Sequence, residues 1–94
     1  MNDKIRKEIL FYGRVQGVGF RYYAKHGADA FGLTGNIENL YDGSVRMEVQ
    51  GLSEDIDRLI AFLRQQRFIE IDSMDVKSLP LEESEYSFTV KDSW

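Results

Sequence analysis

The chain has 94 residues, of which 43% are hydrophobic and 30% charged, with a formal net charge of −4, one histidine and no cysteine. This length and composition predict one folded domain over residues 1–94 and exclude a disordered chain, a disulfide scaffold and thiolate chemistry. No apolar run approaches the length of a bilayer span and there is no secretory signal, so we expect a cytoplasmic protein without a membrane partner.

The first third of the chain predicts a strand followed by a helix. Residues 5–13 alternate in hydrophobicity, which is typical of a strand. From Phe20 the period becomes helical, and Gly32 is a natural stop. The apolar face of this helix contains Phe20, Ala24, Gly27, Ala28 and Phe31.

A hairpin is predicted in the middle of the chain. Asp42 and Gly43 form a strong hairpin signal between strands over residues 34–40 and 44–50. In the first of these strands Asn39 shares a face with Ile37, on the side that the helices should cover. A polar side chain on an apolar face needs a partner or a function.

The second half predicts a helix and two strands. Ser53 is a candidate N-cap, and residues 69–78 read as a strand whose alternation slips between Ile71 and Met74, which indicates a bulge. We expect the acidic run at 82–85 to be a solvated loop. The buried stripe of the helix is Ile56, Leu59, Ile60 and Leu63, and a last short strand carries Tyr86, Phe88 and Val90.

The predicted element order is β-α-β-β-α-β with a small closing strand. This order predicts an α+β fold, the ferredoxin-like βαββαβ sandwich, in which an antiparallel sheet is covered on one face by two helices and gains a short extra strand. The fold serves many unrelated functions, so the function has to be read from the site.

The segment between the first strand and the first helix is the strongest functional signal. Residues 13–21 read Gly-Arg-Val-Gln-Gly-Val-Gly-Phe-Arg. Closely spaced glycines let backbone N–H groups converge on an anion, and a helix that begins near Phe20 adds its positive dipole end. Arg21 in the first turn opposes that dipole unless an anion is bound there. Together these features predict an oxyanion cradle.

Each of these features has an ordinary structural explanation when taken alone. A glycine-rich connection is usually a tight turn, an arginine at a helix start is usually solvated, and Asn39 could belong to the hairpin turn. We expect His26 to lie on the surface. The aromatic residues Tyr22, Tyr23 and Trp94 are expected to serve in packing rather than in cofactor binding.

Residues 13–21 closely resemble the first motif of the acylphosphatase family, Gly-x-Val-Gln-Gly-Val-x-Phe-Arg. Residues 35–39, followed by Asp42-Gly43, resemble its second motif, and the resemblance covers nearly all of the chain. It implies the same ferredoxin-like fold and an enzyme that hydrolyses small acyl phosphates without metal or cofactor. Nothing in the sequence demands more than a monomer, so we expect a monomer. Inorganic phosphate would be both product and inhibitor.

The resemblance also assigns roles to individual residues. Arg21 would hold the phosphate, and Asn39 would position the attacking water. The phosphate-binding loop would consist of Gln16, Gly17, Val18, Gly19, Phe20 and Arg21.

Two other function classes would need a different set of residues. A non-catalytic anion-binding module would need the loop and Arg21 but no water positioner such as Asn39. An RNA-recognition domain would need exposed aromatic side chains on its central strands, whereas the third strand offers Arg46, Met47 and Glu48. The acidic balance also argues against nucleic acid, which usually binds a basic face.

Overall fold

The computed structural model describes residues 3–91, and Trp94 lies outside them. The secondary-structure elements match the predicted ones in type and order, with boundaries that differ by one or two residues. They are β1 (Lys4–Arg14), α1 (Phe20–Ala30), β2 (Thr34–Asn39), β3 (Val45–Leu52), α2 (Ser53–Arg64), β4 (Glu70–Leu79) and β5 (Phe88–Val90).

The five strands form one sheet in the order β4-β1-β3-β2-β5. The first four strands pair antiparallel, as predicted. β5 differs, because it pairs parallel with β2 and makes the sheet mixed. The chain reverses over residues 80–87 and crosses from the β4 edge to the opposite edge. Since β2 also runs opposite to β4, β5 arrives there parallel to β2.

The hydrophobic core lies between the helices and one face of the sheet. Alternate residues of β3 point into it, and the predicted stripes of both helices pack on them. Burying each large side chain of this kind contributes about 1.5–3 kcal/mol. Fully buried members include Ile9, Phe11, Ile37, Val45, Met47, Val49, Ala24, Ala28, Ile56, Leu59 and Leu63.

The register brings three chain segments together at one end of the sheet, where β1 and β2 end and β3 begins. Phe11 near the end of β1 pairs with Val45 at the start of β3, and Val45 pairs with Asn39 at the end of β2. The segment from Val15 to Gly19 follows β1 at this end of the sheet and leads directly into α1. The glycine-rich loop and Asn39 are therefore neighbours in space, although they lie far apart in sequence.

The predicted slip in the fourth strand is a bulge against β1. Tyr12 pairs with Ser73, but Gly13 pairs with Ile71, so Asp72 is the extra residue. This confirms the irregularity that the sequence places between Ile71 and Met74.

The other face of the sheet carries a network of ion pairs. The Arg6 guanidinium, only 6% exposed, donates to the Glu85 carboxylate at 2.8 and 3.1 Å and to Glu48 at 2.9 Å. Arg46 donates to Glu48 at 2.6 Å and to Glu38 at 2.9 Å. The prediction of a solvated acidic loop is therefore wrong for Glu85, because a nearly buried guanidinium requires a carboxylate partner.

The start of α2 also differs from the prediction. β3 continues to Leu52, which occupies the N-cap position in an extended conformation, and Ser53 is already helical. Its hydroxyl makes no capping hydrogen bond, so the prediction of a Ser53 N-cap is wrong by one residue. Glu54 and Asp55 lie in the first turn, where carboxylates suit the helix dipole. Neither helix within residues 3–91 is both long and apolar enough to cross a membrane.

Candidate active site

A cavity of about 220 Å³ opens at the end of the sheet where β1 and β2 end and α1 begins. The loop after β1, the first turn of α1 and the last residue of β2 all contribute to its wall. Most of the lining residues are those that the sequence predicts for the site, namely Gly17, Gly19, Phe20, Arg21 and Asn39.

The loop presents backbone rather than side chain to this cavity. Gly17 and Gly19 have φ angles of 74° and 81°, a left-handed conformation that glycine adopts without strain. Gly19 is the N-cap of α1 and provides no side-chain cap, and the first turn contains no acidic residue. The N–H of Tyr23 bonds the Gly19 carbonyl at 3.0 Å. The N–H groups that precede Tyr23 in the first turn of α1 therefore have no partner within the helix. The positive end of the helix dipole lies at the same end of the sheet.

Arg21 brings a positive charge to the same cavity. Its Nη1 donates to the main-chain carbonyl of Lys91 at 3.2 Å, which anchors the guanidinium beside the segment that follows β5. No carboxylate among residues 3–91 forms an ion pair with it, whereas Arg6 and Arg46 are each paired with glutamates. The charge of Arg21 is thus available to an anionic ligand.

Asn39 supplies a polar group at the buried end of the cavity. Its side chain is 8% exposed, and its Oδ1 has no hydrogen-bond partner in the described part of the chain. Leaving a buried acceptor unpaired costs about 1–3 kcal/mol, so an unpaired amide in a cavity wall points to a ligand or water. The predicted placement of Asn39 on the apolar face with Ile37 is confirmed.

Gln16 does not line the cavity but ties the loop to the hairpin. Its Nε2 donates to the carbonyls of Leu40 and Ser44, both at 2.8 Å. Because Leu40 directly follows Asn39, this side chain fixes the distance between the loop and Asn39. The sequence motif places Gln16 in the phosphate-binding loop but does not predict this link to the hairpin. The available signal was a long amide side chain in a loop otherwise made of glycine and valine.

Val18 also does not line the cavity. It is partly buried and packs against the hydrophobic core, which anchors the middle of the loop. The packing predicted for Tyr22 is confirmed by its ring contacts with Tyr23 and His26, but this residue is also 61% exposed and lines the cavity. His26 is exposed, as predicted.

Asp42 has the structural role that the hairpin signal predicts. Its carboxylate accepts the Ser44 hydroxyl at 2.5 Å and the Ser44 N–H at 2.9 Å. These hydrogen bonds, the hydroxyl first, hold the pKa of Asp42 below its ordinary value. The turn is thereby fixed next to the carbonyls that Gln16 contacts.

The chemistry available at this site is anion binding with one positioned amide. The cavity combines backbone N–H groups, a guanidinium and an amide oxygen. Within residues 3–91 there is no group of three or more histidine, aspartate or glutamate side chains arranged to hold a metal ion.

Comparison with known proteins identifies relatives of this chain. The acylphosphatase family model matches residues 7–90. An acylphosphatase of Clostridium perfringens is 44% identical over 86 residues, which cover 90% of this chain and 97% of that protein. One from Clostridium acetobutylicum is 38% identical over 83 residues, covering 87% and 91%.

Solved structures agree with the sequence comparisons. The crystal structure of acylphosphatase from Bacillus subtilis superimposes with a TM-score of 0.84 at 27% identity, covering 94% of this chain and 99% of that one. The sandwich fold predicted from the element order is thereby confirmed. Fold, family match and relatives agree, and this chain belongs to the acylphosphatase family of hydrolases.

Proposed function

We propose that this chain hydrolyses small acyl phosphates to a carboxylate and inorganic phosphate. The observation that carries the proposal is the cavity, whose wall includes both Asn39, with its unpaired buried Oδ1, and Arg21, which forms no ion pair within residues 3–91. An acyl phosphate is a mixed anhydride whose leaving carboxylate has a conjugate acid of pKa about 4. Such a group departs without a proton, so the site needs no general acid.

Arg21 and the loop bind the phosphoryl group in this proposal. The planar guanidinium holds two phosphoryl oxygens at once, which a lysine cannot reproduce. The backbone N–H groups of residues 16–21 and the dipole of α1 hold the remaining oxygen. All of these donors stabilise the negative charge on the equatorial oxygens as the transition state forms.

Asn39 positions the nucleophile. Its Oδ1 accepts a hydrogen bond from water and its amide N–H donates to a phosphoryl oxygen, which aims the water oxygen at phosphorus. The new bond joins the water oxygen to phosphorus while the bond to the acyl oxygen breaks. The electron pair leaves with the carboxylate, and the water proton passes to an oxygen of the substrate's own phosphate.

The proposal includes three further properties, namely competitive inhibition by phosphate, a monomeric state and a cytoplasmic location. Inorganic phosphate has the geometry that the cradle binds, so we propose that it inhibits competitively. The reaction as written uses no metal or cofactor. All of the proposed site residues come from one chain, which fits a monomer, and a chain without cysteine suits the reducing cytoplasm.

The test is phosphate release from benzoyl phosphate in excess chelator by the wild type, Asn39→Ala and Asn36→Ala. Removal of one positioned transition-state contact typically lowers the rate about 10²–10³-fold, so we expect kcat of Asn39→Ala to fall by that factor. The inhibition constant of phosphate should change far less, because the cradle is intact. Asn36 is the matched control, since it lies on the same strand but bonds Arg46 on the other face.

Three outcomes would contradict parts of this proposal. A kcat of Asn39→Ala close to that of the wild type would mean that another group positions the water. A wild type that binds phosphate but releases none from benzoyl phosphate would be an anion-binding module. An activity that disappears with chelator and returns with a divalent ion would overturn the metal-free reaction.

A further inference from the structure

The cavity has a closed end and an open rim. Val15, Phe20 and Asn39 form the closed end, because all three are buried. Gly17, Gly19 and Tyr22 are the exposed lining residues at the rim, and the two glycines have no side chain. Among the described residues that line this cavity, Tyr22 is therefore the only one with a mostly exposed side chain, since Arg21 is half-buried.

The Tyr22 ring is held in place although most of it is exposed. Its hydroxyl and Nε2 of His26 share a hydrogen bond at 2.9 Å, one helical turn further along α1. The His26 ring lies nearly perpendicular to it at 4.7 Å between centroids, and the Tyr23 ring lies nearly perpendicular to it at 5.3 Å. A ring that is already oriented loses little conformational entropy when a ligand binds against it.

In-line displacement decides which end of the substrate faces Tyr22. The leaving group lies on the side of phosphorus opposite to the attacking water. If Asn39 holds the water at the closed end, the acyl group points towards the rim. This step rests on the proposed function, because it uses the role that we give to Asn39.

We propose that the Tyr22 ring is the contact surface for the acyl group and that it favours acyl phosphates with an aromatic group. Aromatic rings attract one another in offset or edge-to-face geometry by about 0.5–1.5 kcal/mol beyond the apolar area they bury. The hydroxyl of Tyr22 is occupied by His26, and the exposed part of the side chain, 61%, offers ring surface for contact. A methyl group on the acyl carbon is too short to gain the same contact.

The test compares two inert substrate analogues in which a methylene replaces the bridging oxygen. Phenacylphosphonate carries an aromatic ring and acetonylphosphonate carries a methyl group, and calorimetry measures the binding of each. We expect the wild type to bind the phenacyl compound about 3- to 10-fold more tightly. Tyr22→Ala should lose this preference, whereas Tyr22→Phe should keep most of it because the ring remains. The affinity for inorganic phosphate should be the same in all three proteins.

Tyr86→Ala is the matched control. Tyr86 is 88% exposed and lines a different cavity, formed with Lys4, Gln50 and Glu85, so both dissociation constants should stay at their wild-type values. An equal affinity of the wild type for the two phosphonates, or a preference that survives in Tyr22→Ala, would overturn the role of Tyr22. Hydrolysis of acyl phosphates could still occur in that case. Selective phosphonate binding without any turnover would instead overturn the proposed hydrolysis and leave the Tyr22 surface standing.

Discussion

The surroundings of Arg21 differ from those of Arg6 and Arg46, which lie on the open face of the sheet, the face away from the helices. Arg6 and Arg46 are neutralised by glutamates, and their contacts fix strands and loop to one another. The hydrogen bond of Arg21 to the Lys91 carbonyl orients the guanidinium without cancelling its charge. A positive side chain in the first turn of a helix is unfavourable by a few tenths of a kcal/mol. Binding of an anion at this position removes that cost.

Replacement of Arg21 by lysine keeps the charge but removes the two-pronged geometry. We expect Arg21→Lys to lower kcat by about 10²-fold or more and to weaken phosphate inhibition, with an unchanged circular dichroism spectrum. The control is Arg58→Lys, because Arg58 is an exposed residue of α2 that pairs with Asp55. Phosphate inhibition at the wild-type level in Arg21→Lys would place the phosphate clamp elsewhere.

Gln16 is expected to act on the site through position rather than contact. Gln16→Ala removes both hydrogen bonds to the hairpin, but the Leu40 and Ser44 carbonyls keep backbone donors, so the stability loss should be about 1 kcal/mol. Activity should suffer more, by about 10-fold in kcat/KM, because small displacements of catalytic groups are costly. Gln65→Ala, exposed beyond the end of α2, is the control. Wild-type kcat/KM in Gln16→Ala would show that the loop keeps its geometry without this link.

Part of the site could be predicted from residue types and spacing. Arg21 and Asn39 stand out because each is polar where the local pattern disfavours it, and the cavity brings them together. The roles of the Gln16 side chain and the Tyr22 ring could not be predicted in the same way. These roles depend on which segments meet at the end of the sheet where β1 and β2 end. Which segments meet there follows from the strand register rather than from the local sequence.

At the scale of elements, the ion pairs on the open face of the sheet link β1, β2 and β3. The hydrogen bond from Arg6, helped by the charge of Arg46, holds the pKa of Glu48 below its ordinary value of 4.5. A carboxylate whose pKa is lowered by folding stabilises the native state fully above its ordinary value. That contribution is lost as the pH falls through the lowered pKa.

Glu48→Gln should therefore change how stability depends on acid. We expect it to cost about 1 kcal/mol at neutral pH, or about 4–8 °C in Tm, because Glu48 is partly shielded at 27% exposure. As the pH falls from 4.5 through the lowered pKa of Glu48, the difference from the wild type should shrink, because Glu48 becomes protonated and both proteins then lack the charge. Thermal melts across this range give the two curves, with Glu83→Gln in the exposed loop as the control. Parallel curves for Glu48→Gln and the wild type would contradict the linkage.

Local sequence patterns predict the secondary-structure elements better than the contacts between them. Periodicity located the strands and helices well because most of them bury one face. It placed the cap of α2 one residue late, since β3 passes into the helix without a loop. It also left Glu85 in solvent, because its partner Arg6 lies 79 residues earlier in the chain. Contacts of such long range have no signature in the neighbouring sequence.

For the whole molecule, the sheet edges determine whether copies of the chain can pair. β4 is a ten-residue edge strand with mostly exposed side chains. It carries Glu70, Asp72, Asp75 and Lys77, and its bulge at Asp72 interrupts the regular ladder. Charges and bulges on an edge strand disfavour pairing with another edge.

The opposite edge is short and partly covered. β5 contains only three residues, and Lys25 from α1 donates to the Phe88 carbonyl at 2.7 Å. Arg21 occupies the Lys91 carbonyl just beyond the strand. A second chain adding to this edge would have to displace both cations from these carbonyls.

We therefore predict a monomer in solution, with a mass of 10.9 kDa by sedimentation equilibrium at all concentrations tested. Two β4 edges brought together would juxtapose strands that each carry three carboxylates and one ammonium group, and such like charges repel. The variant Asp75→Val removes one of these carboxylates beside the exposed Val76 and so lowers the repulsion between two such strands, and its apparent mass should rise with concentration. A wild-type mass that approaches that of a dimer would mean that the edge charges do not prevent pairing. The activity per chain would then have to be measured again as a function of concentration, because a partner covering β5 could contact Arg21.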